Sequence, residues 1–252
     1  MSKRKHKNLS NNNDDKKNKS EFDRQVNMFQ EITDDKMRQI VDMGAITTNG
    51  KHTIYCINII GQVEGHYVLS DETKTTKYEQ IIPALIAIEQ SKEIEGVLLV
   101  LNTVGGDIEA GLAIAELVSG ISKPTVSVVL GGGHSIGVPL AVSANHSFIV
   151  PSASMTIHPV RSSGTILGVS QSFLYFQKMQ NRIVKFVVKN SNIKEDLFLK
   201  LMMNTDELAT DIGSIVDGKE AVQIGLIDSV GSISDAINVL YDMIDSRTDS
   251  KK

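Results

Sequence analysis

Val97-Leu98-Leu99-Val100-Leu101-Asn102-Thr103-Val104-Gly105-Gly106 opens as an unbroken apolar run and ends in a polar turn closed by two glycines. A run this short and this apolar is the mark of a strand buried on both faces. Asp107–Val118 then reads as a helix, with Asp107 as its cap. A second stretch repeats the plan. Pro124–Leu130 reads as a strand, Gly131-Gly132-Gly133-His134-Ser135-Ile136-Gly137 as a glycine-rich turn, Ile136–Ala144 as a helix and Ser147–Val150 as the next strand.

Working outward, a strand over 53–61 precedes Gly61-Gln62-Val63-Glu64-Gly65 and a helix from Lys77 to Gln90. Strands alternating with helices predict an α/β fold with mostly parallel pairing. From Leu167 to about Lys189 the pattern turns helical, with Phe173, Phe176, Ile183, Phe186 and Val187 at helical spacing. A second helix is expected over Lys194–Met203, with Asn192 as its cap. Glu220–Asp228 reads as a helix end leading into a strand, and Ser234–Ile244 as a closing helix. On periodicity alone, the apolar residues of 167–203 suit packing on their own domain or contacts between subunits equally well.

The composition bounds the rest. At 252 residues, 41% hydrophobic and 22% charged, the chain suits one sizeable globular domain, and its net charge of −4 points to no polyanion partner. Residues 1–24 are polar and Lys/Asn-rich, with basic clusters at Lys3–Lys7 and Lys16–Lys19, and read as a disordered solvated tail rather than a nucleic-acid contact. Residues 25–50 read as a linker or short helix, 51–246 as the folded domain with a helical segment at about 167–203, and 247–252 as a closing tail. A single cysteine, Cys56, excludes an intrachain disulfide and suits a reducing compartment; its apolar neighbours suit a buried strand position. The basic start leads into Asn and Asp, not an apolar h-region, and no run of 18 apolar residues occurs, so a cytoplasmic protein with no membrane span is expected.

Ser135 is the candidate nucleophile. A serine hydroxyl attacks only once a base takes its proton, and histidine is the usual base. Gly133-His134-Ser135-Ile136-Gly137 also fits the G-x-S-x-G elbow of α/β-hydrolases, but those place the histidine after the acid. Here no histidine follows His158, and 136–157 holds no Asp or Glu, so that reading fails. His158 is the candidate base. His134 is a rival, yet a chain neighbour rarely points back at the hydroxyl; it would line the pocket instead. The amides of Gly105, Gly106 and Ile136 are candidate donors to an oxyanion, worth roughly 3–4 kcal/mol of barrier each in serine proteases.

Five segments in order carry a resemblance to the proteolytic subunit of the Clp protease family, within the ClpP/crotonase superfamily. They are Gly61-Gln62-Val63-Glu64, Asn102–Gly106, Gly132–Gly137, Met155-Thr156-Ile157-His158-Pro159 and Glu220–Asp228, spanning Thr53 to Val230. The variants are most similar to the translocation-enhancing (TepA) branch. The resemblance implies repeated ββα-type units around a parallel sheet, with a projecting helical handle at 167–203 through which subunits pack into homo-oligomeric rings. It further implies a serine endopeptidase that acts on peptides or unfolded proteins with no metal or organic cofactor. In it Ser135 is nucleophile, His158 base, and Gly106 and Ile136 oxyanion donors. Counting back from Glu220 without gaps, the family's acid falls on Gly213; a two-residue shift brings Asp211 into place, ahead of Asp206 or Asp217. Any ATP would be used by a separate unfoldase, since no phosphate loop occurs here, and the absence of the family's axial-loop sequence leaves docking of such a partner open. Two other readings remain: an acyl-CoA enzyme of crotonase type, disfavoured by the Ser–His pair, and a catalytically degenerate ring subunit acting as a scaffold.

Overall fold

The computed structural model describes residues 45–162, 168–206 and 212–249. The expected tail at 1–24, the linker up to residue 44 and positions 250–252 lie outside the described residues, as does Asp211. Strands are β1 (Ala45–Asn49), β2 (Thr53–Glu64), β3 (Thr75–Lys77), β4 (Gly96–Gly106), β5 (Thr125–Gly133), β6 (His146–Ile149), β7 (Ser154–Ile157), β8 (Ser214–Asp217) and β9 (Ser229–Val230). Helices are α1 (Tyr78–Gln90), α2 (Ile108–Gly120), α3 (Gly137–Val142), α4 (Val169–Lys189), α5 (Glu195–Met202), α6 (Gly218–Gln223) and α7 (Ile233–Asp249).

The main sheet runs β1-β2-β4-β5-β6-β9, parallel from β2 onward, with β1 antiparallel at its edge. The expected α/β fold with mostly parallel pairing is therefore present. Side chains alternate between two apolar faces. Ile57, Ile59, Leu99, Leu101 and Val129 join a large core with α1 to α5. Ile54, Leu98, Val126, Val128 and Phe148 face the other way, where Ala236, Leu240 and Ile244 of α7 cover them. This is why Val97–Leu101 is apolar at every position and Thr125–Val129 at most: both faces are covered there.

Differences from the expected elements have local causes. Residues 45–49, within the stretch read as linker or helix, form β1, registered so that Ile46 lies opposite Cys56. The closing helix continues through Asp249, past the residue 246 at which the folded domain was expected to end. The cap of α5 is Lys194, not Asn192, and it makes no side-chain capping bond. Asp107 caps α2 as expected, accepting from the Ala110 amide at 2.8 Å.

Helix α7 is fastened to the start of β2. His52 donates to Glu95 at 3.0 Å through Nδ1 and to Asp245 of α7 at 2.9 Å through Nε2. Burial pulls this imidazole's pKa down, but the two bonded carboxylates outweigh burial and hold it above the ordinary histidine value. No described helix is long and apolar enough to cross a membrane.

Candidate active site

Two turns at the carboxyl ends of β4 and β5 build the site, where parallel sheets usually hold ligands. In the first, Gly105 and Gly106 take φ of +95° and +152°. A side chain at Gly106 would stand 2.1 Å from the Val63 carbonyl, so only glycine lets β4 close on β2 there. Thr103 organises this turn: its hydroxyl donates to the Gly61 carbonyl at 2.6 Å and accepts from the Gly105 amide at 3.0 Å. The Gly105 amide, a candidate oxyanion donor, is thus already committed to Thr103. What Gly105 contributes is space, since a Cβ on it would lie 2.5 Å from Ser135 Cβ and 3.1 Å from Ser135 Oγ.

The second turn carries Ser135 between β5 and α3. Its φ of +58° makes it the single non-glycine residue at positive φ among the described residues. The Ser135 amide donates to the Thr156 carbonyl at 2.9 Å, and its carbonyl accepts from the Val138 amide at 3.0 Å. Neither the Ser135 hydroxyl nor the Ile136 amide has a hydrogen-bond partner among the described residues. An unengaged amide at the start of a helix is a ready donor to developing negative charge.

His158 follows β7, the strand that β8 pairs in antiparallel register and that touches β5 at one position, Gly132 opposite Ser154. Its Nδ1 lies 2.7 Å from the Pro159 carbonyl. A carbonyl only accepts, so Nδ1 carries the proton in this bond. Gly213, at φ +138°, packs on this residue; a side chain there would stand 2.8 Å from His158 Cβ. The position reached by gapless counting is thus a backbone contact on His158, with no acid. Among the alternatives, Asp217 caps α6, its Oδ1 accepting from the Lys219 and Glu220 amides at 2.9 Å each. Asp206 is exposed. Asp211, the favoured acid, is outside the described residues.

Ser135, His158, Gly106 and Ile136 line one cavity of about 120 Å³. Ile108, Val138, Ile183, Phe198 and Met202 give it an apolar floor, and Arg161 stands at its rim. His134, expected to line the pocket, is not among its walls. The ring folds back over Gly132, with Nδ1 2.8 Å from Thr156 Oγ1, and burial pushes its pKa down. Thr103, Thr156 and Asn102, whose Oδ1 accepts from the Gly132 amide at 2.9 Å, were not singled out from the sequence. Their polar side chains beside glycine turns were the one available signal. No cluster suited to a metal ion occurs among the described residues.

A parallel sheet with paired glycine turns, one presenting a serine and the other facing it, defines a ClpP-type fold. The Clp protease family profile matches residues 50–234, and the chain belongs to that family. It is 58% identical over 194 residues to the translocation-enhancing protein TepA of Halalkalibacterium halodurans, covering 77% of this chain and 76% of the relative. It is also 26% identical over 157 residues to the ATP-dependent Clp protease proteolytic subunit 1 of Chlamydia muridarum, covering 60% and 78%. A proteolytic subunit from Lactococcus lactis subsp. cremoris shares 26% identity over 158 residues, covering 60% and 74%.

Proposed function

We propose that this chain is a serine endopeptidase that cleaves peptides or unfolded proteins through an acyl-enzyme on Ser135, working in the cytoplasm as a homo-oligomeric ring. The observation that carries the reading is the left-handed backbone of Ser135 in a cavity shared with His158. That conformation costs an L-residue about 1–2 kcal/mol, and such strain gathers where a side chain must be presented for chemistry.

In the reaction, Ser135 Oγ attacks the peptide carbonyl as His158 Nε2 takes its proton. The tetrahedral oxyanion draws on the Ile136 amide and the Gly106 turn. His158 then protonates the departing amine, and water, deprotonated by the same nitrogen, cleaves the ester. Asp211 is the acid proposed to orient His158. The apolar floor around Phe198 and Met202 would hold a side chain of the substrate.

Assembly is supported by uncovered apolar surface. On α4, Phe173, Leu174 and Tyr175 are more than half exposed. On the sheet face partly covered by α7, Ile60 of β2 and Leu130 of β5 are exposed.

A second reading has its own support. The Ser135 hydroxyl lacks a hydrogen-bond partner among the described residues, and the 58% identical relative is named for translocation, not proteolysis. A catalytically degenerate scaffold would fit both.

Labelling with a fluorophosphonate probe, read by intact mass, separates the two. Wild type that labels, with the signal lost in Ser135→Ala and sharply reduced in Asp211→Asn, supports the triad. Labelling that survives Asp211→Asn keeps the peptidase and removes that acid. An assembled protein that never labels favours the scaffold.

A further inference from the structure

Thr156 holds two consecutive residues of the nucleophile turn. Its carbonyl accepts from the Ser135 amide at 2.9 Å, and its hydroxyl meets His134 Nδ1 at 2.8 Å. The His134 amide in turn donates to the Thr103 carbonyl at 3.1 Å, tying the same residue to the first glycine turn. The imidazole packs against Gly132, where a Cβ would stand 2.6 Å from ring atoms Cδ2 and Nε2. The ladder gives β7 a single paired position on β5, Gly132 opposite Ser154. The strand that delivers His158 is therefore weakly registered against the strand that delivers Ser135, and the His134–Thr156 contact lies between them.

We propose that His134 is a positioning residue, whose imidazole clamps the Ser135 turn to Thr156 and so sets the spacing between Ser135 and His158. The clamp rests on the reading of Ser135 as nucleophile for its catalytic meaning, but its geometry can be tested without that reading. Burial favours the neutral ring. A threonine hydroxyl can donate or accept, so either neutral tautomer keeps the bond. Ser135 needs such support because its left-handed backbone would relax if the turn were released.

The test measures the probe's maximal inactivation rate and its half-saturating concentration in the full chain. The variants are His134→Ala, His134→Asn, Thr156→Val and the double variant His134→Ala/Thr156→Val. A side-chain amide places nitrogen or oxygen about where Nδ1 stands, so Asn is the rescuing change. The clamp predicts that His134→Ala lowers the maximal rate about tenfold, the worth of one hydrogen bond, with half-saturation unchanged. Thr156→Val should do the same, the double variant no worse, and His134→Asn should return to within about threefold of wild type. Wild-type rates in His134→Ala, or additive losses in the double variant, would overturn it. If wild type itself never labels, the peptidase reading fails and the clamp is judged by amide exchange. Faster exchange at Ser135 in His134→Ala, reversed in His134→Asn, sustains it; unchanged exchange removes it.

Discussion

Gly105 and Ser135, thirty residues apart in the chain, approach so closely that a single added carbon on the glycine would stand 2.5 Å from Ser135 Cβ. Real Cβ atoms do not meet a neighbour at that distance, and the glycine's φ of +95° adds backbone strain to any side chain placed there. Gly105→Ala should therefore displace the serine turn. If Ser135 is the nucleophile as proposed, a shift of about 1 Å there is worth about a hundredfold in rate. Fluorophosphonate labelling should fall by at least that factor, and normal labelling would show that the turn absorbs the change.

Ser135 itself gives an inverted stability prediction. Glycine relieves a left-handed residue, whereas alanine does not. Thermal melting should place Ser135→Gly above Ser135→Ala by about 1 kcal/mol, with neither variant labelled. Equal stabilities would mean the turn is relaxed in solution.

The His52 cluster predicts a pH signature. The imidazole's folded pKa is raised, so its contribution is full below the unfolded value of about 6.5 and is lost as pH rises through the folded value. Asp245 has the opposite sign: its hydrogen bonds to Lys51 and His52 lower its pKa, so its contribution fades as pH falls below the unfolded value of about 4. The melting temperature should thus decline on the alkaline side of pH 6.5, and His52→Gln should flatten that decline. A slope unchanged in His52→Gln would assign the effect elsewhere.

Leu240 is fully buried at the centre of the contact between α7 and the sheet. Leu240→Ala should destabilise by about 2–5 kcal/mol in denaturant unfolding. A loss under about 1 kcal/mol would mean that the sheet face is covered by something other than this helix.

Phe173→Glu places a charge on the exposed apolar face of α4. If that face joins subunits, sedimentation should show a smaller particle with the fold intact by circular dichroism. An unchanged particle would move the contact elsewhere.

Much of the architecture was legible because it is written locally. The apolar run Val97–Leu101, the cap at Asp107 and the glycines before Ser135 each declare an element within a few residues. What escaped is long-range. β7 is four residues long and gains its identity from Ser214–Asp217, with Met155 opposite Val216. Neither segment alone is apolar or long enough to declare a strand. At the site, Ser135 and His158 line one cavity, although Ser135 follows a strand of the parallel sheet and His158 follows β7, which pairs with β8. The committed amide of Gly105 could not be read, since it depends on where a Thr103 hydroxyl points. His134 was placed in the pocket for a like reason: its partner, Thr156, comes from a different strand.

The last helix completes the second apolar face. Ile54, Leu98, Val126 and Phe148 are spread across four strands, and all wait for Ala236, Leu240 and Ile244. During synthesis the ribosome releases those strands long before α7, so the nascent chain carries a bare sheet face until residues 233–249 emerge. A polypeptide built in this order depends on α7 for solubility as well as closure. A ribosome stalled before residue 233 would hold a half-covered sheet, the kind of surface that chaperones retain.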